Sequence, residues 1–152
     1  MPEPREAAEQ TQPFLAAAFI CEKVVPEGDH SVSITRIIDT TEVAAETNVQ
    51  RGTTVVLPLE LFIMFRTGKA AGKRNLELRL TNPSGYTLPI GREDAEFSGE
   101  PPETGTVYRV DRLEFVWDTT GLYWFEILLD GVQLTRVPLR MTLEENGSSP
   151  AS

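Results

Sequence analysis

The chain holds one cysteine, Cys21, and one histidine, His30, and that scarcity bounds its chemistry. A hydrolytic triad sets a base beside its nucleophile. The only imidazole falls at the turn that follows Pro26-Glu27-Gly28-Asp29, where a solvated histidine is the plainer reading. A structural zinc takes four ligands from cysteine, histidine and carboxylate, and one of each of the first two argues against it. Cys21 sits in an apolar row, where a free thiol behaves as a small hydrophobe. A reactive thiolate wants cationic neighbours, and Lys23 alone shares its strand face. Gly68, Gly72 and Lys73 lie close together, but their spacing fits neither nucleotide fingerprint. A small enzyme working through Cys21 or His30 is therefore the weakest reading. No cofactor is expected.

Two further groups of residues suit binding rather than catalysis. Glu93, Asp94, Glu96, Glu100 and Glu103 crowd the stretch 91–105. With Asp111 or Asp118 they offer oxygen ligands of the kind calcium takes, although charged loops are usual on a surface. Trp117, Trp124, Tyr86 and Tyr108 could hold a sugar ring. At strand period such aromatics more often fill a core. Trp124 is the exception to watch, because it lies opposite the row that begins at Tyr123. A carbohydrate- or calcium-binding β-sandwich is thus one alternative.

The elements that would position these residues read as strands. Tyr123, Phe125, Ile127 and Leu129 alternate with Trp124 and Leu128, the period-two pattern of a strand. Asp130-Gly131 follows, a pair suited to the positive φ angles of a type I′ hairpin turn. The return strand carries Val137, Leu139, Met141 and Leu143 on one face. Pro138 lacks a ladder donor and points to a sheet edge. The order Asp118, Gly121, Tyr123, Phe125 resembles a tyrosine corner, in which the hydroxyl bonds back to the preceding loop, although a core strand whose Tyr123 hydroxyl finds some partner is the plainer reading. Earlier in the chain, 14–25 is apolar in both alternating rows and pairs most simply with Ser31–Val43 across the turn. Thr53–Arg66 is the most apolar run, with Val55, Leu57, Leu59, Leu61, Ile63 and Phe65 in one unbroken row. Phe62 and Met64 add apolar area to its other face, so that face is either buried or a contact surface. Thr67–Arg74 reads as an exposed turn, Asn75–Thr81 as a strand and 86–90 as a short one. Residues 91–105 read as the longest irregular loop, and Thr106–Trp117 as one strand.

The chain has 152 residues, 40% hydrophobic and 24% charged, with a formal net charge of −9. That length suits one domain with a self-sufficient core. The acidic balance disfavours nucleic-acid phosphates and anionic lipid. No apolar run approaches the ~20 residues that span a bilayer, and the acidic start lacks the features of a secretory signal. A single cysteine fits a reducing compartment. These observations point to the cytoplasm and away from a membrane. By composition, residues 1–12 are a flexible leader, 13–143 the domain and 144–152 a disordered tail.

The segment Cys21-Glu22-Lys23-Val24, then Glu27-Gly28, Ser31, Ile34 and Ile37, resembles the opening of a bacterial protein family of unknown function. The close, Gly121-Leu122-Tyr123-Trp124-Phe125 with Leu129-Asp130-Gly131, is similar to that family's in pattern. The resemblance spans most of 14–143. It implies a small bacterial cytoplasmic β-sandwich and no reaction, so it assigns no catalytic residue.

The expectation is an all-β, immunoglobulin-like antiparallel sandwich of about seven strands. It would serve as a non-catalytic interaction module for a protein partner or a second copy. The candidate contact residues are Phe62, Met64 and Trp124, and pairing along a strand edge is a second route.

Overall fold

A computed structural model describes residues 13–29, 31–43, 50–66, 70–98 and 105–144. His30, Glu100, Glu103, the expected leader and all but the first residue of the expected tail lie outside the described residues.

The described residues form eleven strands and no helix. In chain order they are β1 (Phe14–Pro26), β2 (Val32–Ile38), β3 (Thr40–Val43), β4 (Thr54–Leu57), β5 (Glu60–Arg66) and β6 (Ala71–Thr81). There follow β7 (Thr87–Ser98), β8 (Gly105–Val110), β9 (Leu113–Val116), β10 (Gly121–Leu129) and β11 (Val132–Leu143). One sheet has the order β2-β1-β5-β8, a second the order β3-β11-β10-β6-β7, and β4-β9 form a two-stranded ribbon.

The strand count exceeds the expected seven because three expected strands each break in two, and because the short segment expected at 86–90 is a full strand, β7. Ser31–Val43 breaks at Asp39, Thr53–Arg66 at Pro58-Leu59, and Thr106–Trp117 at Asp111-Arg112. The last two breaks face each other. β5 pairs with β8 from Leu61 opposite Val110, and β4 pairs with β9 from Leu57 opposite Leu113. Residues 58–60 thus oppose only 111 and 112, an extra residue beside a proline that cannot donate to the ladder. Alternation hid this break, because Val55, Leu57, Leu59, Leu61, Ile63 and Phe65 all remain in one buried core.

Further expectations are corrected. Much of the expected loop 91–105 is strand, since β7 runs to Ser98, with Ala95 and Phe97 buried between exposed Asp94 and Glu96. Ala71–Arg74, expected in a turn, opens β6 and pairs with Ala95–Ser98. The sandwich is also not wholly antiparallel, for β3 runs parallel to β11, with Thr40 opposite Arg140 and Val43 opposite Leu143. Pro138 lies before the reach of β3, so β11 is an edge only over its first part.

The core sits between the two large sheets. Ile20, Ile63 and Phe65 enter from one, and Leu76, Leu80, Phe125, Ile127 and Leu139 from the other. Each such side chain contributes about 1.5–3 kcal/mol by leaving water. Trp117 and Phe115 pack in the same core beside Tyr123. The Tyr123 hydroxyl bonds back to the preceding loop, as in the corner that the order of residues resembles. Tyr123 Oη accepts the N–H groups of Asp118 (3.0 Å) and Thr119 (3.2 Å), and donates to the Thr119 carbonyl (2.8 Å). Asp130 (φ 51°) and Gly131 (φ 83°) form the β10–β11 turn, both with the positive φ of type I′.

Candidate functional site

The two sheets differ on their outward faces. An antiparallel sheet with one face on a core normally turns polar side chains outward. The five-stranded sheet does so over most of its face, around the apolar Leu122, Trp124 and buried Leu128. Its outer face carries Glu77 beside Arg79 (2.9 Å) and Arg92 (3.7 Å), and Glu126, which accepts from Thr81 Oγ1 (2.8 Å). Arg136 and Arg140 continue that face on β11, by their pairing with Glu126 and Leu122. The Arg79 hydrogen bond, with the charge of Arg92 behind it, holds the Glu77 carboxyl below the usual carboxylate range.

The four-stranded sheet does not. A second apolar cluster lies apart from the main core, built of Cys21, Val24 and Phe62, with Ala17, Phe19, Val32, Ile34 and Met64 against it. All eight residues come from the neighbouring strands β1, β2 and β5. Phe62 lies opposite Phe19 and Met64 opposite Ala17 in the β1–β5 ladder. The Phe19 and Phe62 rings stack, centroids 4.8 Å apart and planes 13° from parallel. Cys21 and Val24 both join the cluster although they are an odd number of residues apart. On the strand opposite, Arg36, between the partners of Cys21 and Val24, has a positive φ (45°).

Charges of both signs rim this face. Arg109 donates through Nη1 to the Val24 carbonyl (2.8 Å), and lies 3.7 Å from Glu60 and 3.2 Å from Asp111. Glu60 accepts the Val24 N–H (3.2 Å), and Arg36 pairs with Glu22 (3.4 Å).

The candidate contact residues separate accordingly. Phe62 and Met64 are brought together, but Phe62 is only 3% exposed, so it supports the face from beneath. Met64 is half-buried, and the exposed Val107 lies opposite it on β8. Trp124 is not part of this face. It sits on the outside of the other sheet, half-buried, with the Arg136 guanidinium 4.1 Å from its ring centroid. That cation occupies a ring face that a sugar would need. Sequence reasoning left out Phe19, Val32 and Ile34. The signal was present in the doubly apolar rows of β1, but not its register with β5.

The other candidates are also placed. Burial, with Glu60 nearby, pushes the Cys21 thiol up, although the Lys23 N–H opposes this; a nucleophile needs the reverse. Asp111 is engaged by Arg109. Asp118 is buried, bonded by Ser84 N and Oγ (3.0 and 2.7 Å) and by Arg51 (3.0 Å). Among the described residues no three histidine, cysteine or carboxylate side chains gather as a metal would require. No helix among them is long and apolar enough to cross a membrane.

No family model matches the chain, and no curated protein matches it in sequence. Solved structures do resemble it. An alkylpurine DNA glycosylase, AlkC, from Pseudomonas fluorescens, solved bound to DNA containing an abasic site analog, aligns with 87% of this chain at 8% identity and a TM-score of 0.49. The alignment covers 31% of the glycosylase chain, so this chain spans about a third of that protein. An immunoglobulin-like protein from Pseudomonas aeruginosa aligns over 87% of this chain and 98% of its own, at 13% identity and a TM-score of 0.39. A superoxide reductase (neelaredoxin) from Ignicoccus hospitalis aligns over 95% of this chain and 89% of its own, at 10% identity and a TM-score of 0.29. All three likenesses lie below a TM-score of 0.5.

Proposed function

We propose that the chain is a non-catalytic, immunoglobulin-like interaction module of the bacterial cytoplasm, and that it pairs with a second copy through the outer face of β2-β1-β5-β8. The observation that carries this reading is the apolar cluster on that face, eight residues with no charge among them, set against the other sheet's outer face, where Glu77, Arg79 and Arg92 pair beside Trp124 and Leu128. A solvated sheet face gains nothing from Phe19, Ile34 and Met64, whereas a covered one gains about 25 cal/mol for each Å² of apolar surface removed from water. The rim suits a second copy, because it carries both signs, with Glu60 and Asp111 beside Arg109 and Glu22 beside Arg36. A two-fold axis can then set acid against base on both sides. The tyrosine corner at Tyr123 supports the immunoglobulin-like assignment.

Light scattering tests the reading. The chain is expected to be a dimer, and the double variant Met64→Lys, Val107→Lys a monomer that still unfolds cooperatively. A wild-type chain that is monomeric at every concentration sinks the second-copy reading, as does a double variant that stays dimeric.

A further inference from the structure

A different surface carries an independent inference. A groove of about 480 Å³ runs between the start of β7 and the β4-β9 ribbon. Leu88, Pro89 and Ile90 line one side, and Glu114, Phe115 and Val116 the other. Leu88 and Val116 are 39% and 41% exposed, large apolar side chains at its mouth. The volume is that of a binding cleft.

The backbone on the two sides differs in a way that selects the occupant. Trp117 gives its N–H to Thr53 O (2.7 Å) and takes the N–H of Gly52 on its own carbonyl (2.8 Å). Backbone groups alternate sides along a strand. Leu113 and Phe115 therefore also face β4, while Glu114 and Val116 present N–H and C=O to the other side. That side has no ladder partner among the described residues. On β7, Tyr86 O accepts from Asn82 N (2.9 Å), which by the same alternation turns Thr87 and Pro89 outward. Pro89 has no N–H to offer, so β7 is a poor template. One wall is thus a strand edge with two free donors, and the opposite wall is apolar with its edge blunted.

Charge specifies the rest. Glu114 is the only charged residue lining the groove, and it has no ion-pair or hydrogen-bond partner among the described residues. The whole chain carries a net −9.

We propose that this groove takes an extended segment of a partner protein. The segment adds as a strand to β9, lays alternate apolar side chains against Leu88 and Ile90, and sets a lysine or arginine beside Glu114. This is recognition by strand addition, with the backbone giving affinity and the pockets selectivity.

Two synthetic peptides of equal length test it, one alternating valine with lysine and the other valine with glutamate. Binding is read by fluorescence anisotropy, and location by amide shifts and hydrogen exchange on labelled chain. The valine-lysine peptide is expected to bind, to slow exchange at the Glu114 and Val116 amides, and to shift 87–90. Glu114→Lys should reverse the preference between the peptides by about tenfold or more, and Val116→Glu should abolish binding of both. Shifts that map to the Phe19–Met64 face overturn the proposal, as does binding without protection at Glu114 and Val116. Binding of neither peptide, or a change of mass in Val116→Glu that marks the groove as a contact between copies, also overturns it. The Met64→Lys, Val107→Lys variant should bind the peptide unchanged, which separates this site from the self-association face.

Discussion

Phe19 and Phe62 stack on the outside of the sandwich, one ring half-buried and the other closed off beneath it. The pair makes Phe62 part of the fold even though its side chain points away from the main core. Phe62→Ala should cost about 3 kcal/mol in urea unfolding, and Phe19→Ala about 1 kcal/mol. Equal unfolding midpoints for Phe62→Ala and the parent chain would show that the ring is not held as described.

The Tyr123 corner makes a prediction at high pH. Burial, against two backbone N–H groups that favour the charged form, pushes the phenol up. A raised folded pKa means stabilisation that is complete below the unfolded value of about 10 and is lost as pH rises through the folded value. Alkaline unfolding should therefore coincide with the appearance of phenolate absorbance. Tyr123→Phe leaves the Asp118 and Thr119 amides without their acceptor and should cost about 1–3 kcal/mol at neutral pH. It should also weaken the alkaline limb; an unchanged limb would assign that limb to other groups.

Glu77 governs part of the acid limb. Its folded carboxyl titrates below the unfolded one, chiefly through the Arg79 hydrogen bond. Its contribution is present above the ordinary carboxylate range and fades as pH falls through the lower folded value. Glu77→Gln should lose less stability than the parent between about pH 6 and about pH 3. Parallel stability curves for the two proteins over that range would contradict the pairing.

Gly131→Ala places a Cβ at φ 83° and should cost about 1–2 kcal/mol. Gly28→Ala meets nothing within 4 Å and has no positive φ, so it should be close to neutral. Thermal melts of the two variants, compared directly, check the turn type.

What the residues announced and what they withheld follow one physical line. Asp130-Gly131 and Asp118-Gly121-Tyr123 are local patterns, and local chemistry alone places them. The breaks at Pro58 and Asp111 depend on a register set across the sheet, and alternation passes through them unchanged. Asp94 and Glu96 read as a loop because their charge masked the alternation of Ala95 and Phe97. Phe62 and Met64 share a face, as their spacing requires. Trp124 joins the opposite side of the molecule because its strand belongs to the other sheet, which no periodicity within a strand reports.

The parallel pairing of β3 with β11 has a consequence for synthesis. Thr40 finds its neighbour in Arg140, near the far end of the described chain. A ribosome adding about 5–20 residues each second emerges with β3 on the order of ten seconds before its partner exists. Through that interval β3 has no strand to pair with, and the apolar rows of β1 and β5 stand without a complete opposing layer. The five-stranded sheet, and with it the sandwich, cannot close until β11 itself has been made.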